Sequence, residues 1–362
     1  MAKEIEAEGG QKWLVDTYQQ WIEQQGVPII TGLSISDLMG VKLAPWERKG
    51  GLGAFIRLHG AENNDAYLCE IPPGAKLKPQ KHMFEELIYV LSGMGATTIW
   101  NEGSPKRTFE WQEGSLFSPP LNAWHQYFNG QSDKPAKFIG VTLAPTFLNL
   151  FNNLDFIFNN NYVFKNRFDS EEDYFATKGR FILTRLWETN FVPNVSTFKL
   201  EEMPSRGAGG SNVRFQTSES IMEAHVSSFP VGTYKNAHRH AGGAHIIILS
   251  GQGYTLLWKD DRTKTRIDWE SGSMFAPPEG LFHQHFNTGK DTARYLALKA
   301  GAEFDARKFK GILKRYEIDT SVKLGGDQIE YEDEDPEIRK MYKEELEKKG
   351  VEWKMANFFP RD

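Results

Sequence analysis

Short apolar, β-branched runs punctuated by glycine dominate the middle of the chain. In EELIYVLSGMGATTIW (residues 85–100) and AHIIILSGQGYTLLW (residues 244–258) two such runs flank a Ser-Gly-x-Gly turn, which predicts a β-hairpin in each place. Downstream, GSLFSPP and GSMFAPP each give a glycine turn, a short strand and a double proline, and the prolines must lie outside any central ladder. Short strands at this spacing, with no helical period between them, predict closed or sandwich-like antiparallel barrels. Helical periodicity is confined to the flanks. Trp13, Leu14, Tyr18, Trp21 and Ile22 share one face of a predicted helix over residues 11–24, with Gly26 as its stop. Residues 147–168, rich in Asn and Phe, read as a helical or irregular bridge. A last helix is predicted from Asp335 as N-cap and Pro336 at its first position, through Ile338, Tyr342 and Leu346, to Gly350. The acidic run EYEDEDPE that leads into it reads as a solvated face.

The pattern occurs twice. Residues 74–129 match residues 232–287 at a constant offset of 158, with no insertion or deletion. At that offset His82 meets His240, Gly93 meets Gly251, Gly95 meets Gly253, Trp111 meets Trp269, Pro120 meets Pro278 and His125 meets His283. Such a match marks a duplication. It divides the chain into an N-terminal helical extension (1–50), a first barrel (51–145), a linker (146–205), a second barrel (206–300) and a C-terminal extension with a helix (301–362).

Composition narrows the class. Apolar residues make up 40% and charged residues 25% of the 362 positions, as in globular proteins with a real core. A net charge of -5 gives no reason for contact with nucleic acid or an anionic membrane. The single cysteine, Cys69, excludes an internal disulfide framework and reads as a small buried strand residue. No signal-like segment or run of roughly 20 apolar residues is present, so a cytoplasmic location is expected.

The candidate chemistry lies inside the repeats. In GTYKNAHRHAGGAH, His238 and His240 are two apart and on a strand would share a face. His283 follows a Pro-x-Gly turn, from which a neighbouring strand can supply a third imidazole. Three neutral imidazoles on one wall leave coordination positions open for substrate and dioxygen, and they suit Fe, Mn, Zn, Ni or Cu. His285, two further on, should face inward beside them, whereas His245 is off that alternation and reads as structural or at the rim. The first repeat differs: Gln80 stands at the place of His238, His82 and His125 are kept, and Glu86 stands at the place of Ala244. Gln80, His82, Glu86 and His125 form a mixed nitrogen and oxygen set suited to Zn, Mn or Fe, or a decayed copy whose remnants bond one another.

These residues resemble the two motifs of the cupin superfamily. Gly232, His238, His240 and Gly251 match the first motif, with Ala244 at its glutamate place; Gly272, Pro278, Gly280, His283 and Asn287 match the second. Gly74, His82, Glu86 and Gly93, then Gly114, Pro120, His125 and Asn129, match in the first copy, with Asn122 at the second glycine. The resemblance implies an all-β fold of two tandem cupin barrels, that is, double-stranded β-helix or jelly-roll domains, and homo-oligomers paired through edge strands. HRHAGGAHIIILSGQGYT further resembles the gentisate dioxygenase type of bicupin, which keeps three histidines, lacks the glutamate and cleaves aromatic rings with Fe(II) and O₂. That likeness implies Fe(II) on His238, His240 and His283. Substrate-anchoring residues carry no motif; His285, from its alternation, and Arg214, as a carboxylate clamp, are the catalytic candidates. That group usually places its site in the first barrel, and here the three histidines lie in the second. Two alternatives remain open. The Gln80, His82, Glu86, His125 set resembles phosphomannose isomerase ligands and implies a metal-dependent isomerase, lyase or decarboxylase; a non-enzymatic small-molecule-binding bicupin is the third reading.

Overall fold

The computed structural model describes residues 16–61, 63–240, 243–259, 263–300 and 318–359. Both expected barrels are present, each built from a large and a small sheet. In the first, Gly51–Leu58, Asp65–Ile71, Ala136–Thr142, Glu86–Ser92 and Leu116–Phe117 pair in that order, facing a sheet of Trp124–Asn129, Met94–Trp100 and Arg107–Gln112. The second repeats this with Ser211–Gln216, Met222–Phe229, Ala293–Ala300, His245–Ser250 and Met274–Phe275, facing Thr265–Glu270, Gln252–Trp258, Phe282–Asn287 and Ala237–His238. The chain is all-β in its core, with two tandem jelly-roll barrels.

The predicted hairpins are corners instead. Glu86–Ser92 pairs with Ala136–Thr142, and Met94–Trp100 pairs with Trp124–Asn129 and Arg107–Gln112, so the chain changes sheet at Gly93. Two apolar runs around a glycine turn look alike whether they pair with each other or with strands far away in sequence, and the first copy's true hairpin lies at residues 101–106. The second glycine of the motif has a steric cause. A Cβ on Gly253 would lie 1.9 Å from the carbonyl oxygen of Phe286, and one on Gly95 2.0 Å from that of Phe128. Asn122, at the place of Gly280, keeps the same left-handed turn with φ 58° against 72°, a conformation Asn tolerates better than other side chains.

The flanking segments do more than bridge. Ile29–Gly32 pairs in parallel with Gly51–Leu58 of the first barrel, and then Ser34–Ile35 crosses to pair with Met274–Phe275 of the second. Symmetrically, Leu186–Glu188 pairs in parallel with Ser211–Gln216 of the second barrel, and Phe191–Val192 crosses to Leu116–Phe117 of the first. The barrels therefore exchange edge strands, and a shared core of Leu68, Leu87, Ile139, Val226, Met274 and Leu298 lies between their large sheets. The expected extension and linker are thus parts of both sheets.

The N-terminal helix spans Thr17–Glu23, buries Tyr18, Trp21 and Ile22 on one face, and is capped by Asp16; Trp13 and Leu14 lie outside the described residues. The bridge holds two short helices, Ala144–Phe151 and Leu154–Asn159. The C-terminal helix is Pro336–Lys349, with the Asp335 side chain accepting from the Glu337 N–H and Gly350 left-handed at its end. Its acidic lead-in is not wholly solvated: Glu334 is buried and accepts hydrogen bonds from Tyr234 and Gln284. Cys69 is fully buried and free, within Asp65–Ile71. No described helix is long and apolar enough to cross a membrane.

Gly253→Ala tests the corner. Because no flexible group can yield to the new methyl, a loss of about 1–3 kcal/mol or more in unfolding free energy is expected from denaturant titration. Unchanged stability would contradict the close approach to Phe286.

Candidate metal centres

The strand register builds both centres. In the second barrel His238 lies directly opposite His283 across the ladder. His240 follows just past the end of Ala237–His238, so it comes from the outgoing loop and not, as the two-residue spacing suggests, from the same strand. The three side chains still converge, with ligand nitrogens all within 4.8 Å of one another. The Nδ1 atoms of His238 and His283 each lie 3.3 Å from a backbone carbonyl, of Asn236 and Leu281. Such a contact places the proton on Nδ1 and leaves the Nε2 lone pair for a metal. The donor set fits a divalent transition metal.

The first barrel gives the same frame a different set. Gln80 lies opposite His125, with reciprocal backbone hydrogen bonds of 2.9 and 3.0 Å. The His82 and His125 Nε2 atoms lie 3.7 and 4.0 Å from Glu86 Oε2, and all three atoms are buried without a hydrogen-bond partner. The Nδ1 atoms face the carbonyls of Phe84 and Ala123 at 2.8 and 3.1 Å. Three buried, convergent lone pairs that bond nothing in the protein fit a metal ion better than remnants bonding one another. Burial alone would raise the Glu86 carboxyl, but His82, Lys49 and His125 hold it down at about 2, so it stays an anionic ligand. Behind it runs a chain the sequence did not suggest: Lys49 Nζ donates to Tyr67 Oη at 3.0 Å, and Tyr67 Oη donates to Glu86 Oε1 at 2.6 Å.

What surrounds the two sets differs most. The first-barrel site is closed by Trp46, Phe55, Tyr67, Phe84 and Phe158, and its free space is about 20 Å³, little more than one water needs. Phe84 stacks flat on His82 with ring centroids 3.8 Å apart. The second-barrel site opens into a cavity of about 110 Å³. Register equivalence explains the difference: His285 and His225 stand where the first barrel has Tyr127 and Tyr67, and Tyr295, opposite Ser227, stands where it has Phe138, opposite Cys69. Aromatic filling in one copy is polar lining in the other.

The cavity wall is cationic. Arg185, Arg206, Arg214, Lys235 and Lys299 line it, against the carboxylates of Glu223 and Asp319 among the described residues. Arg206 is held by Asp319 at 3.5 Å and by the carbonyl of Ile318 at 2.9 Å. The C-terminal extension therefore contributes to the cavity wall, and its strand Gln328–Ile329 pairs with the strand that carries His238. Of the substrate-facing residues expected from sequence, His285 is buried in the wall with Nδ1 2.8 Å from the Thr255 hydroxyl, and Arg214 also lines the cavity. His245 is fully buried with both ring nitrogens unpartnered, so it is not at the rim. No motif points to Arg206, His225, Lys235 or Tyr295; for the last three the signal is a polar residue in one copy at the place of an apolar or aromatic one in the other, whereas Arg206 carries no such signal, since the first copy has a cation there as well.

Burial lowers the imidazoles of His125 and His283 to about 3 and pushes His238 and His285 well below the ordinary range. These rings are neutral in the fold, whereas in the unfolded chain they take up protons near pH 6.5. Metal-free protein is therefore expected to lose stability as pH falls from about 6.5 toward about 4, seen as a falling melting temperature. A flat profile across that window would contradict their neutral burial.

A family model described as a cupin domain matches residues 67–142, most of the first barrel. No curated protein sequence matches the chain. Among solved structures, oxalate decarboxylase of Bacillus subtilis, in a study of its Mn(II) centres, shares 17% identity at a TM-score of 0.50, covering 75% of this chain and 78% of that one. An oxalate decarboxylase structure concerned with substrate binding and a reaction-specificity switch gives 17% identity and a TM-score of 0.50, covering 75% of this chain and 77% of that one. The matched domain, its internal repeat and the shared architecture together make this chain a bicupin in fold.

Proposed function

We propose that the chain is a metal-dependent enzyme that breaks the bond next to the carboxylate of a small acid, with the three-histidine centre of the second barrel as its reaction site. The observation that carries this reading is the cavity: an open space of about 110 Å³ in which convergent imidazoles face a cationic wall. A small carboxylate fits such a wall by charge-assisted hydrogen bonds. Decarboxylation is favoured over ring cleavage because, among the described lining residues, Tyr295 is the one benzenoid ring and the other rings are imidazoles. The similar structures also carry the name oxalate decarboxylase, one of them with Mn(II). The expected gentisate-type chemistry has a narrower basis, the absence of a carboxylate ligand at Ala244, and it stands as the second reading, with Fe(II) and O₂.

A divalent ion held by His238, His240 and His283, Mn or Fe, would supply Lewis acidity and redox capacity. The protein's own groups do the rest. Arg206 and Arg214 orient the carboxylate, the C-terminal segment at Ile318 and Asp319 excludes water, and Thr255 fixes the ring of His285. The first-barrel set is proposed as a second, enclosed metal site whose role is structural.

Metal-free protein reloaded with Mn(II) or Fe(II) should release CO₂ from short carboxylic acids without stoichiometric oxygen uptake. Stoichiometric uptake with a dihydroxybenzoate would establish the second reading, and no metal uptake at either barrel would leave a binding module. His283→Ala should abolish turnover and halve bound metal, whereas Glu86→Gln should halve metal and leave measurable turnover; the reverse pattern would move the reaction to the first barrel. Arg214→Ala should raise KM about tenfold or more, the equivalent of about 1.4 kcal/mol of lost binding, and an unchanged KM would remove it from the carboxylate contact.

A further inference from the structure

Besides the three histidines, the cavity wall holds a pair that the proposed chemistry has not used. Lys235 is 3% exposed and Tyr295 6% exposed, and both line the cavity. Lys235 Nζ donates to Tyr295 Oη at 3.2 Å. Among the described residues no carboxylate pairs with Lys235; the phenol oxygen accepts its hydrogen bond, and the rings of Phe229 and Tyr295 lie 5.4 and 4.9 Å from its ammonium. A buried ammonium without a carboxylate is costly, and the first barrel shows that the fold does not require it: Leu77 stands at the place of Lys235 and Phe138 at the place of Tyr295. A pair that packing does not need, placed in the wall of the reaction cavity, is a functional feature.

Resting on the reading of this cavity as the reaction site, we infer that Tyr295 is the acid that protonates the substrate carbon, with Lys235 as its positioning residue. When the bond to the carboxylate carbon breaks, CO₂ leaves and the electron pair stays on the substrate carbon. The Tyr295 proton goes to that carbon, and the phenolate left behind is held by the Lys235 ammonium until water returns a proton. Atoms and charge balance, and no oxidant is consumed. Burial would raise the Tyr295 phenol, but Lys235, the Ser227 hydroxyl and Arg206 together hold it below its ordinary value, toward the working pH that suits a general acid. The other charged or titratable groups around the phenol are His225 and Glu223 on Met222–Phe229, His285 on Phe282–Asn287, Lys299 on its own strand, and Arg206. His225 and His285 lie with ring centroids 6.0 and 5.3 Å from it and are held neutral by burial.

The test uses the full metal-loaded chain and the variants Tyr295→Phe, Lys235→Leu and Lys235→Arg. The first two install what the duplicated barrel already carries at these places, and metal content with melting temperature verifies the fold. Ultraviolet difference titration of the wild type should show one of the 12 tyrosines ionising before the rest. That signal should vanish in Tyr295→Phe, move to higher pH in Lys235→Leu and return in Lys235→Arg. Tyr295→Phe and Lys235→Leu should lower kcat about 10²- to 10³-fold with KM little changed, and Lys235→Arg should recover part of it. Wild-type kcat in metal-replete Tyr295→Phe, or no early-ionising tyrosine in the wild type, would overturn the assignment. If the wild type turns over no carboxylate at all, the proposed reaction fails and the acid role with it, and the titration still reads separately whether the pair exists.

Discussion

Both centres depend on one register: the strand entering the barrel corner lies antiparallel to the strand leaving the proline turn. That pairing sets His238 opposite His283 and Gln80 opposite His125. A slip of one residue would turn each imidazole to the other face of its strand. Glycine corners, proline turns and the exchanged edge strands all hold this register. The N-terminal strand Ser34–Ile35 and the linker strand Phe191–Val192 each lock the short strand that precedes a proline turn, each in the barrel other than the one its preceding strand joins. Each barrel's site is thereby braced through contact with the other.

On that common frame the two barrels have diverged by what fills them. Tyr67, Tyr127 and Phe138 occupy the first interior and leave its His82, Glu86, His125 set enclosed; His225, His285 and Tyr295 occupy the same places in the second and leave space beside His238, His240 and His283. Duplication supplied one scaffold, and substitution at ring positions, these three among them, separates an enclosed ligand set from an open one. The cation excess among the described residues of the second cavity suits an anionic ligand, which the overall acidic charge of the chain would never suggest.

The barrels, the repeat and both histidine sets were legible in sequence because they rest on local signals: glycines at forced corners, alternation along strands, and ligands two or four residues apart. The Ser-Gly-x-Gly corners look like hairpins in sequence because strand pairing across a jelly roll is non-local. The roles of residues 29–35 and 186–192 were not legible for the same reason, since two- to four-residue strands carry no period. Arg206, Lys235 and Tyr295 lie on three separate elements and meet only when the barrel closes. Lys235 in particular sits in the motif region beside His238, but nothing in its neighbours shows that it points at a phenol 60 positions away.

We propose that small carboxylates reach the metal centre of the second barrel and do not reach that of the first. Mn(II) placed in one barrel at a time, by His82→Ala to keep the second site and His238→Ala to keep the first, reports this through its electron paramagnetic resonance spectrum. Titration with a short carboxylic acid is predicted to change the spectrum of the second-barrel ion and leave the first-barrel ion unaltered. A response from the first-barrel ion alone would contradict the account.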